Sequence, residues 1–565
     1  MGPPAASSCN VGAVHNLDRA FFVTATHTVI NQVPPLAGNA FRDDPLLLQL
    51  ASGTPEAQLR EWQQIGAYVR SAEAQDLARL ANTETPKLKS HDRYGHRLDR
   101  VEFHPAYHAL MRRSTGWGMT ASIWEPKDRG AAPGHLRRAL SFYMLAGLES
   151  GHLCPMTMTS ASLAAITSSP DLARQWAPRI ASRKYDSANK SPMEKAGLTV
   201  GMGMTEKQGG TDVRANMTEA VHEGRDLYRL TGHKWFMSAP ASDAFLVLAQ
   251  APRGLSCFLV PRLRPDGEAN GIAFMRLKDK LGNRSNASSE AEFHAATGHL
   301  LGEEGDGVRT ILEMVTLTRL DCAVASAGLM RASLAEAVHH ARHRHVGGGV
   351  LADKPLMVRV LADMAIDAAA ATALAMRLAY AFDHAGTDEF EAAYTRAMTP
   401  VVKYWVCKVA PPMIGEAMEC LGGNGYTEDF PIARHYREAP VNSIWEGSGN
   451  VMALDLLRVL HRSPESYDMI LENIGRHLGR RGPGTLDVLS AAFDLVRTDE
   501  GAARIVAEQL ALAAAAAELY RLGAGKLADA FVETRLAGAW RSSYGMIDSR
   551  FDAAHLLDAL YPADS

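Results

Sequence analysis

The chain has 565 residues, 47% hydrophobic and 22% charged, with a net charge of −4. That is ordinary globular composition, long enough for a buried core and for roughly three or four domains at ~150 residues each. The near-neutral balance does not announce a nucleic-acid binder. The six cysteines, none in a CxxC pair, argue against a zinc site or a disulfide framework and fit reduced thiols in a cytoplasmic protein.

Residues 1–50 read as irregular, punctuated by Pro3, Pro4, Pro34 and Pro35. The apolar, β-branched stretch from Phe21 to Ile30 suits docking on a core or a neighbouring subunit. From about 45 to 195 the period is helical. Thr54 is placed to cap one helix, and Leu136, Ala139, Leu140, Tyr143 and Met144 mark the apolar face of another. The polar tract Asp92 to Arg100 reads as a loop. His104 and His108 are four apart but lack a third ligand, which argues against a metal site. The uncharged run from Ser150 to Pro170 is too rich in Ser, Thr and Pro for a membrane span, so the expectation is a soluble protein. At about 196 the period changes. Short strands are predicted over 217–221, 227–230, 244–250, 255–260, 272–277 and 291–294, an all-β domain inserted between helical ones. Helices return over 311–329, 357–380 and 394–421, the last expected to kink or break at Pro400, Pro411 and Pro412. Residues 461–565 read as a separate helical piece with a run of alanines of very high helix propensity. The expectation is thus an α+β chain of four domains, 1–195, 196–310, 311–460 and 461–565.

One stretch concentrates the chemistry. In Asn442-Ser443-Ile444-Trp445-Glu446-Gly447-Ser448-Gly449-Asn450 a carboxylate stands between an indole and a glycine, just before an apolar helix that Ser448 or Asn450 is suited to cap. A carboxylate walled by apolar groups has a raised pKa and serves as a base near neutrality. Upstream, Gly201 to Asp212 is glycine-rich. It lets backbone approach a ligand closely and offers the hydroxyls of Thr205 and Thr211, although it is neither GxGxxG nor a Walker loop. Lys234-Trp235-Phe236-Met237-Ser238 sets aromatics beside a hydroxyl, suited to a wall for a planar ring.

The order of Met204-Thr205-Glu206, Gly210-Thr211-Asp212, Lys234 to Ser238, Leu281-Gly282-Asn283-Arg284-Ser285, Leu421 to Tyr426 and Trp445-Glu446-Gly447-Ser448 resembles the acyl-CoA dehydrogenase superfamily over roughly residues 100–460. The longer wording of Met202 to Gly210, Lys278 to Ser288 and Arg437 to Asn450 is similar to its AidB-type adaptive-response branch. The resemblance implies an N-terminal helical domain, a central β-barrel, a helical bundle and an extra C-terminal helical domain. It implies FAD, a homotetramer, and a link to double-stranded DNA and alkylation damage. Carried over by motif, Met202, Met204, Thr205, Gly210 and Thr211 would contact the flavin and its phosphates. Phe236, Met237 and Ser238 would cover the ring, and Ile444, Trp445, Gly447, Ser448 and Asn450 would complete the site. Arg344, Gly422 and Gly423 would touch a neighbour's adenosine. Glu446 matches the superfamily's base, with Arg284 suited to orient or ionise it. The chain departs from the common pattern at Lys207 and Gln208, and at Arg344-His345-Val346-Gly347-Gly348, which lacks an aromatic.

The DNA link is weighed against charge. Residues 461–565 hold 11 Lys+Arg and 15 Asp+Glu, a net-acidic segment that argues against a broad phosphate-binding face. Arg458, Arg462, Arg476, Arg480 and Arg481 remain as local candidates. Two functions therefore stand side by side. One is a DNA-associated flavoprotein of the alkylation response that retains a dehydrogenase site. The other is a metabolic acyl-CoA dehydrogenase passing electrons to an electron-transfer flavoprotein.

Overall fold

The computed structural model describes residues 27–125, 134–536 and 551–562. The stretch 21–26 of the predicted docking segment lies outside them, while Val29 and Ile30 stand exposed. The N-terminal helices run from Pro45–Leu50 to Pro170–Ile180. Asp44 starts the first of them: its Oδ1 accepts from Leu46 N at 3.0 Å and Leu47 N at 3.2 Å. Its Oδ2 accepts from Arg331 Nε at 2.7 Å, so one carboxylate both caps a helix and ties it to the bundle. Thr54 does not cap; the helix Glu56–Val69 follows Pro55 with no side-chain cap. The tract read as a loop is the turn and most of the second strand of a hairpin, β1 Lys87–His91 and β2 Arg97–Glu102. Both strands are largely exposed and charged, which removed the apolar alternation that marks a strand. His104 caps the helix Pro105–Gly116 through Nδ1, and His108 faces Tyr185 OH at 2.8 Å.

The central domain is a seven-stranded sheet ordered β3-β5-β4-β6-β7-β9-β8, in which an added β5–β9 pairing closes a barrel. The strands are β3 Val200–Gly203, β4 Glu219–Gly224, β5 Leu227–Ser238, β6 Ala244–Ala251, β7 Gly254–Pro261, β8 Ile272–Leu277 and β9 Ser288–Leu301. β5 and β9 run well past the predicted limits, because their outer halves carry polar residues.

Three long helices, Gly307–His343, Pro355–His384 and Glu389–Cys420, form the bundle. Glycines set its closest approach: a Cβ at Gly328 would lie 2.2 Å from Tyr143 O, so the helix Gly134–Leu148 packs directly on that backbone. The expected break at Pro400, Pro411 and Pro412 does not occur; all three lie inside one continuous helix. Each proline removes an internal hydrogen bond, at a cost of roughly 3 kcal/mol. The helix offsets this by burying residues from Tyr394 to Cys420 between its neighbours. The C-terminal helices share the bundle's hydrophobic core and are pinned to it by buried ion pairs. These are Arg377–Glu518 at 3.3 Å, Arg535–Asp363 at 2.7 Å and Arg535–Asp367 at 2.9 Å. Among the described residues, no helix is long and apolar enough to cross a membrane, and no cluster of His, Cys, Asp and Glu is disposed to hold a metal.

Candidate active site

Glu446 lies in the turn between the helices Pro431–Asn442 and Gly449–Arg462. Its backbone is left-handed, φ 58°, and Gly447 follows at φ 107°. For a side-chain-bearing residue that conformation costs roughly 1–2 kcal/mol, so it persists only if the turn is held from outside. Two buried cations hold it. Lys403, 1% exposed, donates from Nζ to Trp445 O at 2.7 Å and also to Gly447 O. Arg319 donates from Nε to Glu446 O at 2.9 Å while its Nη1 pairs with Asp455. Three successive carbonyls are thereby fixed. The N–H groups of Glu446, Gly447 and Ser448 donate to no acceptor among the described residues. Ser448 occupies the position before the next helix, as its sequence suggested, but its side chain makes no capping bond.

The Glu446 carboxyl points inward, and its Oε2 is buried without a hydrogen-bond partner. Burial pushes its pKa above the ordinary carboxylate value, against the pull of the Thr318 hydroxyl and of Lys403 and Arg319. An under-bonded, water-poor carboxylate of this kind is a competent general base. Arg284, the cation singled out from sequence for this task, is exposed and donates from Nε to Lys280 O at 3.3 Å. Lys403 and Arg319 are the cations beside Glu446. The only hint of them in sequence was a basic residue on an otherwise apolar helical face.

Strand register brings the other predicted segments together. Met202 pairs with Ser238 and Gly203 with Met237, and Trp235 N donates to Thr205 O at 2.8 Å. The loop after β3 is organised by a buried ion pair, Glu206–Lys234 at 2.6 Å. Glu206 also accepts from Thr218 Oγ1 at 2.6 Å and Met217 N at 2.7 Å. Despite burial, Lys234 and these donors hold its carboxyl down at about 2. At Gly210 a Cβ would lie 2.6 Å from Thr205 Oγ1, so the loop leaves a cradle of bare backbone beside that hydroxyl. Phe236 is 45% exposed, whereas the Met237 side chain is fully buried in the barrel interior and offers a ligand only its backbone. Met202, Met204 and Trp445 belong to one apolar cluster, which joins the Glu446 turn to the β3 loop across the domain seam. Ile444, Ser448 and Asn450 are exposed, and Gly422 (φ 60°) and Gly423 have open space around them. Arg344 donates to Asn31 O at 2.5 Å at the end of its helix. The Leu281–Ser285 motif serves as a latch: Asn283 Nδ2 donates to Glu438 Oε1 at 2.9 Å and Ser285 Oγ to Glu149 at 2.8 Å.

Of the predicted basic residues, Arg458 and Arg462 line a cavity of about 640 Å³, and Arg462 also lines an adjoining one of about 650 Å³. Arg214, Arg309 and Arg396, from three other elements, converge on the same groove. Arg476 is engaged by Glu472 at 3.1 Å and Arg481 by Asp529 at 2.6 Å; Arg480 is exposed.

The residues present fit a bound flavin: a bare-backbone cradle with hydroxyls at Thr205 and Thr211, a half-exposed aromatic at Phe236, and an unpartnered buried carboxylate at the seam. Comparison with known proteins agrees. The chain matches the adaptive response protein AidB N-terminal domain over residues 31–187, the acyl-CoA dehydrogenase middle domain over 201–296 and its C-terminal domain over 305–461. It is 44% identical to AidB of Escherichia coli (strain K12) over 90% of this chain and 94% of that protein. It is 34% identical to acyl-CoA dehydrogenase family member 11 of Caenorhabditis elegans over 77% of this chain and 74% of that protein. A crystal structure of C. elegans ACDH-11 in complex with C11-CoA superposes with a TM-score of 0.81 at 28% identity, covering 94% of this chain and 96% of that one. The family's cofactor is FAD. The chain belongs to the acyl-CoA dehydrogenase family, in its AidB-type branch.

Proposed function

We propose that this protein is an FAD-dependent oxidoreductase acting on the CH–CH bond of an acyl thioester, with Glu446 as the base. The observation that carries this is the buried Oε2 of Glu446, which has no partner of its own, in a turn clamped by Lys403 and Arg319. An α-proton beside a thioester is weakly acidic, so its removal needs a positioned carboxylate in a dry site. The unused N–H groups of residues 446–448 are suited to stabilise negative charge on the thioester oxygen. Bound FAD supplies the hydride acceptor. Thr205, Gly210, Thr211 and the backbone of Phe236 to Ser238 would hold it. The arginine-lined groove is suited to the phosphates of a CoA-like carrier. Anaerobic titration of the FAD-loaded protein with straight-chain acyl-CoAs tests the proposal. Bleaching of the flavin that is lost in Glu446→Gln is expected, and a flavin indifferent to every chain length overturns it.

The same groove supports a second reading, sequence-nonspecific binding of double-stranded DNA in the alkylation response. Arg214, Arg396 and Arg462 have no carboxylate partner among the described residues. Affinity for duplex DNA should then fall steeply with salt, with a shallower slope in an Arg214→Gln/Arg396→Gln double variant. Absence of binding at low salt removes this reading and leaves the first intact. Apolar side chains exposed near Arg344 and Gly422, namely Leu356, Val346 and Tyr426, support a homotetramer that covers them. Sedimentation measures that directly.

A further inference from the structure

A cavity of about 370 Å³, whose lining does not include Glu446, lies where the β1–β2 hairpin and the helix Pro105–Gly116 meet the loop that follows β5. It is of ligand size. One wall is aromatic. Tyr107 stacks on Phe103 with centroids 4.2 Å apart, and Tyr185 stacks on His108 at 5.9 Å with its hydroxyl 2.8 Å from Nδ1. The opposite wall is polar. Ser242 is 2% exposed, and its Oγ is buried with no hydrogen-bond partner. A buried hydroxyl left unpaired costs about 1–3 kcal/mol, so one that faces a cavity calls for an acceptor or donor within it.

The charges around the cavity are unequally matched. Its carboxylates are all engaged: Asp99 by Arg97 at 2.5 Å, Asp186 by Lys190 at 3.2 Å and Glu102 by Lys89 at 3.8 Å. Lys195 is paired with Asp243 at 2.7 Å. Arg262 spends only Nε, on Ser242 O at 3.0 Å; the Asp243 carboxylate, already paired with Lys195, attracts its charge, and Arg100 stands close enough to oppose it. Neither arginine has a carboxylate partner among the described residues. The local excess is positive and lies beside the orphan hydroxyl.

We propose that this cavity is a second ligand site that takes a small aromatic molecule carrying an oxyanion. The ring lies against Tyr107 and Tyr185, and the oxyanion accepts from Arg262, Arg100 and the Ser242 hydroxyl. Guanidinium N–H groups match carboxylate and phosphate oxygens in pairs. The site is separate from the arginine groove and does not depend on the reaction proposed for Glu446.

Calorimetric titration of the FAD-loaded protein with phenyl phosphate, benzoate and uncharged benzyl alcohol tests it. One equivalent of an aryl oxyanion is expected to bind, at least tenfold more tightly than benzyl alcohol. Arg262→Gln should weaken that binding at least tenfold, and Arg458→Gln should leave it unchanged. Ser242→Ala should weaken it several-fold while the ligand-free variant keeps or gains thermal stability, since an unsatisfied hydroxyl has been removed. The proposal is overturned if neither anion binds, if benzyl alcohol binds as well as they do, or if both variants bind like the wild type.

Discussion

Replacing Lys403 by Met tests the clamp on the Glu446 turn. The two side chains are similar in length and Lys403 is buried, so the change leaves little cavity and isolates the loss of the ammonium. Two charge-assisted bonds disappear, to Trp445 O at 2.7 Å and to Gly447 O. Each is worth roughly 1.5–3 kcal/mol. Relief from keeping an ammonium dry offsets part of that sum, leaving a destabilisation of about 3 kcal/mol. The turn, relieved of its restraint, also relaxes from the left-handed conformation. Lys403 draws the Glu446 pKa downward, so its removal moves that pKa further up. Urea unfolding measures the first effect. The acid limb of the pH profile for flavin reduction by acyl-CoA measures the second, and it should shift to higher pH. A loss below about 1 kcal/mol together with an unmoved acid limb would refute the clamp.

Other outcomes follow from the same geometry. Gly210→Val places side-chain atoms where Thr205 Oγ1 lies 2.6 Å from the ideal Cβ, so the purified protein should fold but carry little FAD, read from its visible spectrum. Glu149 is buried and bonded to His152 Nδ1 at 2.7 Å; although burial opposes it, that partner holds the carboxyl at about 2, against an ordinary 4.5. With the folded pKa depressed, the native state binds fewer protons than the unfolded one. Stability is therefore full above pH 4.5 and lost as pH falls toward 2, by about 3 kcal/mol for this group. Glu149→Gln should remove that part of the acid dependence in urea titrations. Glu446 has the opposite sign. Its raised folded pKa means the native state keeps its proton longer, so stability declines as pH rises from 4.5 through that pKa. Glu446→Gln should flatten the decline.

The sequence carried the fold through two periods, helical and alternating, and through motifs whose order named the family. It did not carry features that depend on tertiary partners. β1 and β2 are short, charged and largely exposed, with Leu88 and Val101 as their few inward apolar residues, because they lie on the barrel as an exposed flap. Pro400, Pro411 and Pro412 follow a local rule that burial overrides. Glu446 stood out as a candidate through its place in the Trp445-Glu446-Gly447-Ser448 motif. Its cations were not: Arg284 is near in motif order, while Lys403 and Arg319 reach the turn from two other helices, a convergence no spacing announces. For the same reason Arg458 and Arg462 were visible as a pair, but Arg214, Arg309 and Arg396 joined them only in three dimensions.

The central claim is that the Glu446 carboxylate removes a proton from the carbon next to a thioester. Incubating the FAD-loaded protein with an acyl-CoA in deuterium oxide, anaerobically, and following the α-hydrogens by proton NMR reads that step apart from flavin reduction. The account predicts exchange of the α-hydrogens by the wild type and none by Glu446→Gln. Equal exchange by both proteins, or flavin reduction by a Glu446→Gln protein at the wild-type rate, would contradict it.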